Sequence, residues 1–405
     1  MNKTIAYGLK IALVNFVILA LVGSLMRFKI GFSFPYFIQK NLIDAHSHFA
    51  FYGWITTAIY FLIISDLNSR FPDLKLKKYF VVCVLNLIAS YGMLVAFTYK
   101  DYYWLSIVFS SLALFCGWAY LYMLFMDSRK RKLSGVKWYL GGLFFAFISS
   151  IGIFSLSYLT ATKQITKESL DISIYFYLHF QYNGFYIFSC IGLLINQLDR
   201  IGIRLKTKTH QKIYYAFFVG CILTYGLSVL WLKLPLWLYA STVSGALIQT
   251  FGSGFLFYFI SKNWRQIKDS LSTLERFVLV YVGFAFSVKI SLQLLSIFPS
   301  ISKYAFDHRA VAIAYLHLIL LMGISVFLVS KIIESGYFHF SKFGKQGFKV
   351  LLTLIFVNQV YLGLAAFSSI FFFRIPNLQL ILFSFGVLIA LTLSLILKEL
   401  KFREK

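Results

Sequence analysis

Seven histidines stand in a chain of 405 residues that is 60% hydrophobic and only 13% charged. Five fall in or beside apolar stretches: His46 and His48, then His179, His308 and His317. Neutral imidazole is the commonest protein ligand for iron, copper and zinc. An ionisable group inside a bilayer is expensive, so it reads by default as a functional site. The densest stretch is Asp44-Ala45-His46-Ser47-His48-Phe49-Ala50-Phe51-Tyr52-Gly53-Trp54, which sets two rings at the mouth of an apolar helix. Helical residues two apart point about 200° away from each other, so His46 and His48 cannot serve one metal together. An axially bis-coordinated haem requires two imidazoles from two facing helices, one on each face of the iron. Its propionates need cationic partners. Arg309, Arg374 and Arg27 stand at ends of apolar stretches where such carboxylates would emerge.

The scaffold that must position these residues is an all-α polytopic membrane protein. Twelve apolar stretches have roughly the 20-residue length that spans hydrocarbon. They cover 8–27, 42–65, 79–98, 104–126, 138–158, 172–196, 213–231, 238–260, 275–297, 311–333, 349–370 and 378–397. Connections are short, with no soluble domain and no clear internal repeat, so residues 1–405 are expected to form a single transmembrane domain. The net charge of +25 follows the loops. One set carries Arg70, Lys75, Lys77 and Lys78, then Arg129, Lys130, Arg131 and Lys132, then Arg200, Arg204, Lys206, Lys208 and Lys212. Lys262, Arg265, Lys268, Lys342, Lys345, Lys349 and the terminal Lys398, Lys401, Arg403 and Lys405 belong to the same side. The opposite loops pair their few lysines with acids, as in Lys100 with Asp101 and Lys167 with Glu168. The positive-inside rule then puts both termini in the cytoplasm; the expected location is a bacterial inner membrane. The charge marks topology and attraction to anionic lipid rather than a nucleic-acid partner.

Topology sets depth. The second, sixth and tenth stretches descend from outside, carrying His46 and His48, His179, and His317 in their outer turns. The ninth ascends, with Lys289 roughly two turns beneath its outer end. His308 lies in the outer loop, and His210 and His339 in basic cytoplasmic loops without a role. Each residue also has a plainer reading. A single intramembrane histidine is often an interhelical hydrogen-bond donor worth about 1 kcal/mol, and Lys289 could snorkel outward on its long stem. Asn183, Gln249, Asn358 and Gln359 fit interhelical hydrogen bonding, and Trp104, Trp138, Trp231 and Trp237 an interfacial belt. Cys83, Cys116, Cys190 and Cys221 stand singly, as small packing residues do.

Twelve spans with histidines on the second, sixth and tenth resemble subunit I of the haem–copper oxidases, the superfamily of cytochrome oxidases and nitric oxide reductases. Ala45-His46 followed by Gly53-Trp54 is similar to the segment that ligates the low-spin haem. His317-Leu-Ile-Leu-Leu-Met322-Gly323 is similar to the one carrying the opposite ligand. His179-Phe-Gln-Tyr-Asn183 sits where the family places its first copper-ligating histidine. The His46-Ser-His48 doublet is also similar to the His-x-His of NnrS-like proteins, haem- and copper-containing and associated with nitric oxide tolerance. Departures are as informative: Tyr315 stands where the high-spin haem ligand is expected, and residues 213–231 lack the family's His-His pair. Asn183, with Tyr182 beside it, stands where many oxidases have a tyrosine.

The resemblance implies a b-type haem on His46 and His317, with Arg309 and Arg374 at its propionates. His48 and His179 would hold copper, a small gas such as nitric oxide or oxygen, or a second haem. Lys289, Tyr315, Tyr182, Asn183, Asp44 and His308 would line these sites. The expected role is respiratory electron transfer or nitric oxide and oxygen handling from an electron donor that the sequence does not name. The alternatives are an active terminal oxidase or nitric oxide reductase with unusual ligands, and a cofactor-free transporter using the His/Lys cluster as a proton relay.

Overall fold

A computed structural model describes residues 2–129, 131 and 134–403; Lys130, Lys132 and Lys405 of the basic loops lie outside this set. The chain is built almost wholly of helices. These are α1 Lys3–Gly31, α2 Gln39–Arg70, α3 Lys77–Tyr99, α4 Trp104–Ser128, α5 Val136–Ala161, α6 167–200, α7 Thr207–Leu223 and α8 Leu236–Lys262. There follow the short α9 Trp264–Ser270, then α10 Thr273–Leu295, the short α11 Pro299–Asp307, α12 Arg309–Ile333, α13 Lys342–Phe371 and α14 Leu378–Glu399. Hydrocarbon leaves no water for open backbone groups, and helices satisfy theirs internally. Among the described residues, eleven helices are long and apolar enough to cross a membrane. The twelfth expected span, α6, is helical throughout, but His179, Gln181 and Asn183 dilute its apolar character. Polar caps start several helices. Thr166 and Ser169 close a capping box at α6, as Ser272 and Glu275 do at α10.

The helices pack as two compact units. The first comprises the chain to Tyr120 and again from Leu316; the second is Leu121–Tyr315. No linker marks the division, since both boundaries fall inside helices, α4 and α12. In the first unit, strands β1 Phe338–Phe340 and β2 Leu400–Phe402 pair antiparallel, and Lys10 Nζ donates to the Leu400 carbonyl at 3.5 Å. The start of α1 and the basic C-terminal segment thus share one end. In the second unit, Gln266 donates to the Ile201 carbonyl at 3.1 Å and Gln197 to Glu275 at 3.2 Å, so these basic connections share an end as well.

Three helices share a local feature that the sequence reading, which found no repeat, did not foresee. α2, α6 and α12 each change from α to π geometry directly after a histidine: His48 precedes Phe49–Thr56, His179 precedes Phe180–Tyr186, and His317 precedes Leu318–Ser325. π segments are rare and frequent at functional sites. The first two repeat a spacing, His48-Phe-Ala-Phe-Tyr-Gly53-Trp54 against His179-Phe-Gln-Tyr-Asn-Gly184-Phe185. A π turn disturbs the regular backbone ladder, and neighbouring side chains meet its carbonyls. The Tyr52 carbonyl accepts from Asn86 Nδ2 at 3.1 Å and Thr57 Oγ1 at 2.9 Å, and the Gly53 carbonyl from Asn15 Nδ2 at 2.6 Å. In α12, Ser325 Oγ donates to the Leu320 carbonyl at 2.7 Å and accepts from Trp54 Nε1 at 2.8 Å. Position 53 must be glycine for space: a Cβ there would lie 2.6 Å from the Phe49 ring.

Candidate functional site

In the first unit, one face of α1 carries Leu19, Gly23 and Arg27 at four-residue spacing, and His46 of α2 lies against it. A Cβ on Gly23 would sit only 3.0 Å from His46 Cε1, so the ring fills the place of a side chain. The Leu19 carbonyl is the backbone acceptor facing this ring, while Nδ1 is buried without a hydrogen-bond partner. His317 and the Arg27 guanidinium lie within electrostatic reach of His46. Both His46 and His317 are only half-buried, although the apolar residues beside them are closed off. Arg27 is half-buried and donates to Gln379 Oε1 at 3.3 Å. Arg309 and Arg374 are exposed, so Arg27 is the arginine the structure brings to His46.

His48 points elsewhere, as its spacing requires. Its Nδ1–H donates to the Asp44 carbonyl one turn back at 2.8 Å, which leaves Nε2 as the acceptor. The ring stacks on Phe97 at 4.2 Å, and the Tyr102 hydroxyl approaches Nε2 at 3.5 Å. Burial, then the Asp44 and Asp101 charges, push the Tyr102 phenol up, so it stays a donor. Burial acts to raise the Asp101 carboxyl, but the Lys40 hydrogen bond and the Tyr102 backbone N–H hold it below the usual carboxylate range. Lys40, Asp44 and His48 recur every four residues on one face of α2, and loop 100–103 closes over that face.

The second unit holds the other expected residues. His179 is buried, and both its nitrogens are in use. Nε2 donates to the Cys221 carbonyl at 2.8 Å; Nδ1 accepts from Asn183 Nδ2 at 3.2 Å and Ser228 Oγ at 3.4 Å. The Cys221 carbonyl is free to accept because α7 ends at Leu223 and continues as a 3₁₀ turn over Thr224–Val229. Metal ligation by His179 would break one of these bonds, so its arrangement here is that of an interhelical hydrogen bonder. Tyr182 and Tyr315 meet edge to face at 6.4 Å, and His308 caps α11 with its ring 6.2 Å from Tyr304. Lys289 does not snorkel. It is buried within α10 and donates to Gln293 Oε1 at 2.6 Å, whose Nε2 donates to Gln249 Oε1 at 2.8 Å.

Trp138 departs from the interfacial belt: it is fully buried and donates to His210 Nε2 at 2.7 Å. Among the described residues, no group of three or more His, Cys, Asp or Glu side chains converges as a metal would need. Gln293, Ser228, Tyr102, Asn15, Gly23 and Asn86 were not singled out from the sequence. Only Gln293 left a signal there, four residues after Lys289 on one helix face. No protein-family model matches the sequence, and no curated protein matches it.

Proposed function

We propose that this chain is a bacterial inner-membrane haem protein of twelve spans, both termini cytoplasmic, in which His46 and His317 hold a b-type haem. The observation that carries this reading is the His46 nitrogen without a partner, beside Gly23 and within reach of His317 and Arg27. The residues fit the group. Two imidazoles come from different helices, one ring nitrogen is uncommitted, and an arginine lies one turn beyond the glycine for a propionate. Bound haem would supply one-electron chemistry, which suits respiratory electron transfer or the handling of nitric oxide or oxygen. The chain's own part is to fix both rings from helices and to keep water out with the apolar wall of α2. Copper is left without a claim on His179, whose nitrogens serve Cys221, Asn183 and Ser228. The competing reading, a cofactor-free proton-coupled transporter, draws on buried Lys289 and predicts a colourless protein.

An optical spectrum of the purified protein with a pyridine haemochrome assay decides between them. The expected result is a six-coordinate, low-spin b-type spectrum that disappears in His46→Ala and in His317→Ala. A protein that stays colourless after haem reconstitution, or a spectrum indifferent to both substitutions, ends the haem reading.

A further inference from the structure

Lys289 is 2% exposed and Gln249 0% exposed, yet their hydrogen-bonded chain has a surplus of donors. An ammonium can only donate. Gln293 must therefore turn its oxygen to Lys289 and its NH2 group to Gln249. Gln249 must in turn offer its oxygen to Gln293, which leaves its own NH2 at the far end. The amide orientations, ordinarily a matter of choice, are fixed here by the lysine. Gln249 Nε2 is buried without a partner, and the ammonium makes one hydrogen bond of the three it can donate. No carboxylate among the described residues pairs with Lys289. His179 and Cys221 lie within its electrostatic reach, but the ring hydrogen-bonds the Cys221 carbonyl and brings no fixed negative charge.

We propose that Lys289, Gln293 and Gln249 form a binding site for a small monovalent anion of the size of chloride or nitrite. Its charge follows from the single buried cation: one negative charge neutralises it, whereas a divalent anion would leave a net buried charge. Its small size accords with the packing: α7 lies so close to Gln249 that a Cβ at Gly220 would meet the Gln249 Cβ at 2.8 Å, which leaves no room for a bulky ligand on that side. Its chemistry follows from the ammonium, which has two hydrogens left to donate and seeks an acceptor; the Gln249 NH2 is a second unsatisfied donor of the same buried chain. The site is independent of the haem reading and stands or falls without it.

The test is thermal unfolding of the full-length protein in detergent, prepared in chloride-free gluconate and titrated at constant ionic strength. Chloride and nitrite should each raise Tm saturably, as ligands of the native state do, and sulfate should not. Gln293→Glu places a carboxylate where Lys289 already donates. It should keep the higher Tm without added anion and abolish the response. Lys289→Met should also abolish the response; if that variant does not fold, Gln293→Glu decides. A wild-type Tm unmoved by chloride and nitrite would mean water or a neutral amine at the site, and the proposal fails. It fails equally if sulfate acts as well as chloride, or if the response survives in Gln293→Glu.

Discussion

Gly23→Ala separates two effects that act in opposite directions. Replacing a mid-helix glycine by alanine favours the helix by about 1 kcal/mol. At Gly23, however, the new methyl would stand 3.0 Å from His46 Cε1 and 3.5 Å from Nδ1, where carbon pairs prefer about 3.5–4.0 Å. The ring must give way by several tenths of an ångström. An overpacking cost of about 1–3 kcal/mol then falls on whichever state needs the imidazole in place. At ~1.4 kcal/mol per tenfold, haem affinity should drop about five- to 150-fold while the apoprotein melts no lower than wild type. Gly363 on α13 has nothing within 4 Å of its missing Cβ, so Gly363→Ala should bring the helical gain alone. The assay is haem content by pyridine haemochrome across a haem titration, read beside apoprotein Tm, with Gly23→Val as the stronger perturbation. Equal haem affinity in wild type, Gly23→Ala and Gly23→Val would show that His46 is not held against α1 by its cofactor, and would refute the reasoning.

Three further outcomes are expected. His179→Phe leaves the buried Cys221 carbonyl with only the longer Thr224 Oγ1 bond at 3.4 Å and should cost about 1 kcal/mol of stability in unfolding assays, with the haem spectrum unchanged; loss of haem would make His179 a ligand after all. Asn15→Leu strips the Gly53 carbonyl of its donor and should destabilise by about 1–3 kcal/mol, against little change for the exposed Ser384→Ala on α14. Asp101 has a folded pKa below its unfolded value of about 3.9, so its stabilisation is complete above that value and is lost as pH falls through the depressed folded one. Lys40→Met should flatten this acid limb of the Tm–pH curve, and high salt should shrink it because the pair is largely exposed.

Period and polarity carried the large features of this fold into the sequence. Apolar runs of membrane-spanning length give the long helices, and two residues of separation are enough to turn His46 and His48 apart. What remained hidden depends on which faces meet. Whether Lys289 snorkels or stays buried is decided by the partners of α10, and those include Gln249 of α8, 44 residues away from Gln293. Which arginine reaches His46 is decided by the rotation of α1, which brings the Leu19–Gly23–Arg27 face to the ring. Trp138 looked interfacial because it begins a segment, yet His210, expected in a basic loop, lies in the first turn of α7 and accepts its indole N–H. The repeated His-Phe-x-aromatic-x-Gly pattern was in plain view. Its meaning was not, because π geometry has no propensity signature of its own.

The π segments give a physical reason why the histidines and the buried amides occur together. One extra residue in a turn rotates everything beyond it by about 100° relative to an unbroken α-helix. On α2 the histidines lie before the change, and Trp54 with its bond to Ser325 lies within it. The helix can thus aim the turns before the change at one set of neighbours and those beyond it at another without a kink. Such a segment leaves carbonyls that hydrocarbon cannot solvate. Asn15 and Asn86 answer those of α2, and Ser325 answers that of α12. The Asn15 side chain also accepts from Tyr91, which ties the amide to α3 as well. These amides therefore hold the helix in the conformation that aims the rings. Substituting them should disturb ring placement before it unfolds the chain, and the haem band should broaden or shift in Asn86→Leu at temperatures where the protein is still folded.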